Sequence, residues 1–180
     1  SDCDHRMSRT RPTRLPILQQ GVQTWEDAVQ AYEMGLAGVV LSNHGGRQLD
    51  FARSGVEVLE EVMRELRKRG SFPNPAFQVM VDGGFRRGTD ILKALAMGAT
   101  AVGIGRPFLY AYSAYGVDGV IHAINLLRDE LEMNMRLIGA RSIEELVPSM
   151  VDLSALHNHT GAVFPKQDQS VLDFMDKSRL

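Results

Sequence analysis

The stretch Ala37-Gly38-Val39-Val40-Leu41-Ser42-Asn43-His44-Gly45-Gly46-Arg47-Gln48-Leu49-Asp50 passes from a short apolar run directly into a glycine-rich polar segment. Residues 37–41 have the length and uniform apolarity of a buried strand. The following residues break it, because paired glycines loosen the backbone and a cluster of Asn, His, Arg and Asp belongs in a loop. A buried strand that opens into such a loop is the repeating unit of α/β sheets, and ligands of those sheets bind beyond the strand ends.

The same unit recurs on both sides. Upstream, Leu15-Pro16-Ile17-Leu18 reads as a strand, followed by a helix over 24–34 with Thr24 as N-cap and Gly35 as its stop. Downstream, 56–69 reads as a helix with Val58, Leu59, Val62, Met63 and Leu66 on one face and Gly70 at its end. Pro73 and Pro75 break the chain before a third strand at 77–81, a helix at 89–97 that stops at Gly98, and a fourth strand at 101–104. A longer helix over 117–138 follows, then Ser142 and Glu145 at capping-box spacing, and the pattern fades beyond Ser154. Right-handed crossovers turn consecutive βα units into an α/β fold with a parallel sheet. Periodicity leaves two forms open, a doubly wound sheet and part of a closed (β/α)8 barrel.

Composition narrows the classes of function. With 180 residues, 44% hydrophobic and 23% charged, the chain suits one soluble globular domain. A net charge of -2 lacks the basic excess that binding a phosphate backbone requires, so no nucleic-acid partner is expected. The single cysteine, Cys3, excludes an internal disulfide and a multi-cysteine metal site, and points to a reducing compartment. No apolar run approaches the ~18–20 residues that cross a bilayer, and no apolar leader opens the chain, so no membrane partner is expected either. Residues 1–14 carry Arg6, Arg9, Arg11 and Arg14 beside Asp2 and Asp4 without amphipathic period, and read as a disordered segment rather than a transit-like arm.

The strand ends hold the unusual chemistry. His44 and Arg47, close together after the second strand, pair an acid/base group with a fork that grips a carboxylate through two parallel hydrogen bonds. The plain alternative is a glycine-rich turn whose His and Arg bond to nearby backbone. After the third strand stands Asp82-Gly83-Gly84-Phe85-Arg86-Arg87-Gly88-Thr89, and after the fourth Gly103-Ile104-Gly105-Arg106-Pro107. Both have the make-up of anion cradles: glycines let backbone N–H groups approach, a helix N-terminus adds positive potential, and arginine supplies the counter-charge. Asp82 suits either ligand hydroxyls or the capping of its own turn, and Arg87 also suits solvent.

Taken together, Ser42 to Asp50, Asp82-Gly83-Gly84 with Arg86-Arg87-Gly88-Thr89-Asp90, and Gly103 to Phe108 resemble the FMN-dependent 2-hydroxy-acid dehydrogenase family, which includes glycolate oxidase, lactate oxidase and flavocytochrome b2. The resemblance runs from about Leu15 to Leu153 and is greatest to fungal flavocytochrome b2-like members. It implies the C-terminal half, the last four βα units, of an FMN-binding (β/α)8 barrel over 15–153, with 154–180 as a tail. It implies the oxidation of a small (S)-2-hydroxy acid to a 2-keto acid, with His44 as base and Arg47 on the substrate carboxylate. Ser42 and Gln20 would face the flavin, while Asp82, Gly83, Gly84, Arg86, Gly105 and Arg106 would hold its ribityl chain and phosphate. No metal is implied.

Two departures accompany the likeness. The family usually carries a lysine where this chain has Gln20, and a neutral amide does not offset the negative charge of a reduced flavin. The first four units, with the family's tyrosines and the aspartate that orients the histidine, lie outside the resemblance, whereas a whole barrel takes ~250 residues. A half-barrel exposes strand edges, so it is expected to need the other half or to self-associate. The alternative reading is a catalytically inactive fragment or interaction module derived from the same family.

Other features read as structural. His157-Asn158-His159 sits in a polar tail without neighbouring carboxylates, Met133 and Met135 suit packing gaps in a helix, and Trp25 suits packing near a helix start. The terminal Ser178-Arg179-Leu180 differs from the peroxisomal Ser-Lys-Leu signal by one charge-preserving change, which makes the peroxisome the expected location, with cytoplasm or mitochondrion as alternatives.

Overall fold

A computed structural model describes residues 15–156. The elements alternate as β1 (Leu18–Val22), α1 (Trp25–Glu33), β2 (Gly38–Leu41), α2 (Gly55–Lys68), β3 (Gln78–Asp82), α3 (Gly88–Met97), β4 (Ala101–Gly103) and α4 (Arg106–Ile138). All three strand pairings are parallel, and the order across the sheet is the order in sequence. A doubly wound sheet reverses direction at its switch point, and this one does not. Right-handed crossovers that always advance one strand place every helix on the same face, as in one arc of a barrel. Consistently, α1 packs on α2, α2 on α3 and α3 on α4.

The core follows from the period-two alternation of the central strands. Val39 and Leu41 of β2 pair in register with Val79 and Val81 of β3, and all four are fully buried under the helix layer. Against them α2 turns Val58, Leu59, Val62, Met63 and Leu66, the face read from the sequence, each at most 1% exposed. The helix starts on a capping box that the sequence reading passed over: Ser54 Oγ accepts from the Glu57 N–H and the Glu57 carboxylate accepts from the Ser54 N–H. Thr24 caps α1 as expected, through the Asp27 N–H at 3.2 Å. A smaller cluster of Leu92, Ala96, Ala140 and Leu146 joins α3 to the chain after α4.

Several expectations need correction. The first strand is not 15–18 but Leu18–Val22, through Gln19 and Gln20. Pro16 has no N–H to give a ladder, and pairing with β2 begins at Leu18 opposite Gly38. This strand is made by its neighbour rather than by its own hydrophobicity. The last helix starts at Arg106, not 117, and breaks at Gly116, whose φ of 60° and ψ of -146° are not helical. The missed signal was Gly105 followed by Pro107 in the first turn. Ser142 and Glu145 form no capping box: Ser142 makes no side-chain cap, and the Glu145 carboxylate accepts from Arg141 instead. Met135 packs against the smaller cluster, whereas Met133 is half exposed. Trp25 packs on the main core, with the Arg69 guanidinium over its ring. Residues 1–14, the histidines at 157 and 159 and the terminal tripeptide lie outside the described residues.

Two close approaches hold helix starts against the sheet and its neighbours. A Cβ on Gly55 would stand 2.7 Å from the Asp82 carbonyl oxygen and 2.9 Å from that of Leu41, both backbone atoms at strand ends. At the start of α3, the Gly88 N–H donates to Glu130 Oε2 at 2.8 Å and Arg87 Nε donates to both Glu130 oxygens at 2.9 and 3.1 Å. Arg87 is therefore an exposed charge, as its position allows, that also clamps α3 to α4. The Arg87 guanidinium first, and the Gly88 N–H second, hold the Glu130 carboxyl below its usual pKa.

Gly55→Ala is expected to lower stability by about 1–3 kcal/mol, because backbone rather than a flexible side chain must yield. A urea midpoint equal to the wild type would show that the helix start has room to move. For Glu130, a depressed folded pKa gives stability that is full above the unfolded carboxylate value and lost as pH falls through the folded one. Glu130→Gln should accordingly unfold at lower urea than wild type at pH 7, with the gap closing below about pH 4. A gap independent of pH would mean that the carboxylate charge does not matter.

Candidate active site

Parallel strands place their C-terminal ends on one side, and the loops after β2, β3 and β4 meet there. Ser42, the residue after β2, is buried at 3% exposure, and its Oγ accepts the His44 N–H at 3.0 Å. Asn43 Oδ1 accepts the Gly46 N–H at 2.9 Å, closing a 3-10 turn over His44–Gly46. His44, Gly45 and Gly46 have φ of 55°, 68° and 70°, so three successive residues are left-handed. For a side chain with a Cβ this conformation costs ~1–2 kcal/mol, which the two side-chain caps offset. The turn lifts the His44 imidazole and the Arg47 guanidinium out of the sheet into exposed positions. The far end of this loop is tied down by Arg53, which donates to the Gln23 carbonyl at 2.6 Å and to Glu61, whose other oxygen accepts the Trp25 N–H.

Asp82 ends β3. Its Oδ1 is buried and has no hydrogen-bond partner, so it caps no turn of its own. A Cβ on Gly103 of β4 would lie 2.9 Å from Asp82 Cβ, and only glycine leaves this carboxylate its place. Gly83 and Gly84 follow with φ of 87° and 88°. A Cβ at Gly84 or Gly105 would meet nothing within 4 Å, so both stretches of backbone face open space. Arg86 is exposed and lines a groove of about 200 Å³ with Ile104, Pro107 and Phe108 and, from further along α4, Ala123, Leu126, Leu127 and Glu130. Its backbone N–H and that of Arg87 donate to Asp90, which fixes the approach to α3.

Arg106 opens α4 and reaches past the β3 loop, where its Nη2 donates to the Gly45 carbonyl at 2.7 Å. Thus Ser42, His44, Asp82, Gly83, Gly84, Gly105 and Arg106 belong to one mouth. Gln20 stands apart: it lies within β1 opposite Val40, exposed on the side of the sheet away from the helices, with no hydrogen bond to the turn. Asn43 escaped the sequence reading as a functional residue, although an Asn before Gly-containing turns is the signal for such a cap. Nothing local marked Glu61 or Glu130 as partners of Arg53 and Arg87, because those pairs form only across elements.

The arrangement offers an imidazole and a guanidinium beside glycine-lined backbone, a buried carboxylate oxygen in need of a donor, and cations for an anion. That is a set of groups for a ligand carrying hydroxyls and a phosphate, with a small acid beside it.

Residues 7–153 match the FMN-dependent dehydrogenase family. The chain is 59% identical over 146 residues to an L-lactate dehydrogenase (cytochrome) of Wickerhamomyces anomalus, a match that covers 81% of this chain and 25% of the relative. It is 48% identical over 139 residues to a peroxisomal (S)-2-hydroxyacid oxidase of Arabidopsis thaliana, covering 77% of this chain and 36% of that protein. The recombinant flavin-binding domain of baker's yeast flavocytochrome b2 superimposes with a TM-score of 0.77 at 52% identity, over 91% of this chain and 40% of that one. The chain therefore spans between a quarter and two-fifths of these relatives' lengths. With these matches, and with four parallel strands in unreversed order among the described residues, this chain belongs to the FMN-dependent dehydrogenase family and holds the C-terminal half of that family's (β/α)8 barrel.

Proposed function

We propose that this chain carries the reaction-centre half of an FMN-dependent (S)-2-hydroxy-acid dehydrogenase or oxidase that converts a small 2-hydroxy acid to a 2-keto acid. The observation that carries the reading is the convergence at one mouth of the His44 turn and the glycine cradles after β3 and β4, joined by the bond from Arg106 to Gly45. Residues 15–153 are taken as the working unit and 154–180 as a tail.

The residues present fit FMN. The partnerless Asp82 Oδ1 asks for a hydroxyl donor, as a ribityl chain supplies, and the open backbone at Gly84 and Gly105 suits a phosphate approached by N–H groups. Asp82, Gly83, Gly84, Arg86, Gly105 and Arg106 are assigned to this end of the cofactor, and Ser42 and Gln20 to its ring. When bound, FMN supplies the two-electron acceptor. The protein's own groups do the rest. Arg47 grips the substrate carboxylate with its planar fork and so orients the hydroxyl-bearing carbon. His44, lifted by the left-handed turn, takes up the proton that leaves this substrate, the task for which an imidazole is suited near neutral pH. A neutral amide at Gln20 donates a hydrogen bond and leaves negative charge on a reduced ring without a counter-ion.

The second reading, an inactive or interaction module of the same family, is favoured by Gln20 and by the sheet edges: among the described residues β1 and β4 each pair on one side only. Under either reading those edges call for four further βα units or a second copy. For location we propose the peroxisome, on Ser178-Arg179-Leu180 and on the relative named as peroxisomal. A fluorescent protein ending in these residues should enter peroxisomes, and a diffuse signal would reject the assignment.

Purified protein is expected to stay yellow after desalting, with flavin absorption bands, and Asp82→Ala should weaken FMN binding on the order of tenfold. A colourless wild type favours the inactive module. In flavin-loaded protein mixed rapidly with lactate, Gln20→Lys should speed flavin reduction on the order of tenfold; no gain would remove the charge argument.

A further inference from the structure

Besides the backbone bond from the Gly46 N–H to the Asn43 carbonyl at 3.1 Å, three side-chain ties hold the turn after β2 in its left-handed form, and two of the three are local. Ser42 Oγ and Asn43 Oδ1 accept N–H groups within the turn itself. The third is the Arg106 guanidinium, which arrives from the first residue of α4 and crosses the loop after β3 to reach the Gly45 carbonyl. Gly45 is fitted to it: a Cβ there would stand 3.1 Å from Arg106 Nη2, closer than ordinary contact.

We propose that Arg106 is a positioning residue for His44, coupling ligand binding at the end of β4 to the order of the turn after β2. This rests on the reading of the mouth as an FMN site. The coupling follows from the shape of the group. A guanidinium carries five donors in one rigid plane, and the Gly45 carbonyl uses one of them, leaving others for phosphate oxygens. Arg106 is exposed, so holding its long side chain toward Gly45 costs rotamer entropy. An anion that already fixes the side chain removes that cost, and the bond to Gly45 strengthens. By linkage, an ordered turn strengthens anion binding by the same factor. A lysine would retain the charge but lacks the plane that serves two acceptors at once.

Amide hydrogen exchange at His44 and Gly46 tests this, read by NMR in wild type, Arg106→Ala and Arg106→Lys, with and without FMN, while flavin fluorescence reports binding. Exchange at Val39 and Val79, buried in the sheet ladder where the Val79 N–H donates to Thr100 Oγ1, reports whether each variant is folded. Without FMN, Arg106→Ala should exchange at His44 and Gly46 on the order of tenfold faster with the ladder unchanged, the loss expected for a charged hydrogen bond. Unchanged turn exchange would overturn the positioning role. With FMN, wild-type turn protection should rise, whereas Arg106→Lys should bind the flavin without that rise. An equal rise in both would overturn the coupling. Failure of the wild type to bind FMN would overturn the coupling together with the functional reading, and the flavin-free comparison would still decide whether Arg106 positions the turn.

Discussion

The burial of Val39, Leu41, Val79 and Val81 against the apolar face of α2 is the constraint on which the other features depend. Because side chains alternate along a strand, this burial admits one register between β2 and β3, and a slip of one residue would expose the whole set. The register in turn places Ser42 and Asp82 just at or beyond the same sheet edge. Gly55 lets α2 begin against the backbone of both strand ends, so the helix that covers the core also limits the space beside the mouth. Packing thus settles where the polar groups stand before any of them has a ligand.

At that mouth the chain accepts local strain. Left-handed backbone at His44 is unfavourable by itself, and it persists because Ser42, Asn43 and Arg106 each satisfy a backbone group of the turn. The result is an exposed imidazole on a turn set by backbone geometry. The partnerless oxygen of Asp82, kept in place by the absence of a side chain at Gly103, is a second unfavourable feature at the same end. Costs of this kind concentrated at one mouth are what a binding site requires and what a purely structural turn does not.

Away from the mouth, the helices of the described residues cover one face of the sheet. Leu18 and Gln20 of β1 are exposed on the other, where a closed barrel has its interior. Phe51, left-handed at φ 56° and 98% exposed, and Leu49 stand out on the loop after β2 in the same way. The chain carrying them corresponds to two-fifths of the flavin-binding domain it matches.

Much of this was legible in the sequence. The alternation of apolar runs with amphipathic stretches announced four βα units, although it misplaced the first strand and the start of the last helix, and it located the apolar face of α2 and the ends of the helices at Gly70 and Gly98, since burial and backbone freedom are properties of neighbouring residues. The segments after the strands stood out by residue type alone, an imidazole and a guanidinium after β2 and glycine–arginine stretches after β3 and β4. Other matters were decided only in three dimensions. The β1 strand runs through Gln19 and Gln20 because β2 supplies its hydrogen bonds, a fact that lies twenty residues away. The choice between doubly wound sheet and barrel arc rested on strand order, which periodicity does not encode. Arg87 found Glu130 and Arg106 found Gly45 across 43 and 61 positions. Pairings at such separations exist only once the core has folded the chain back on itself, so the sequence by itself determined which chemistry is present, and the tertiary structure decided which groups meet.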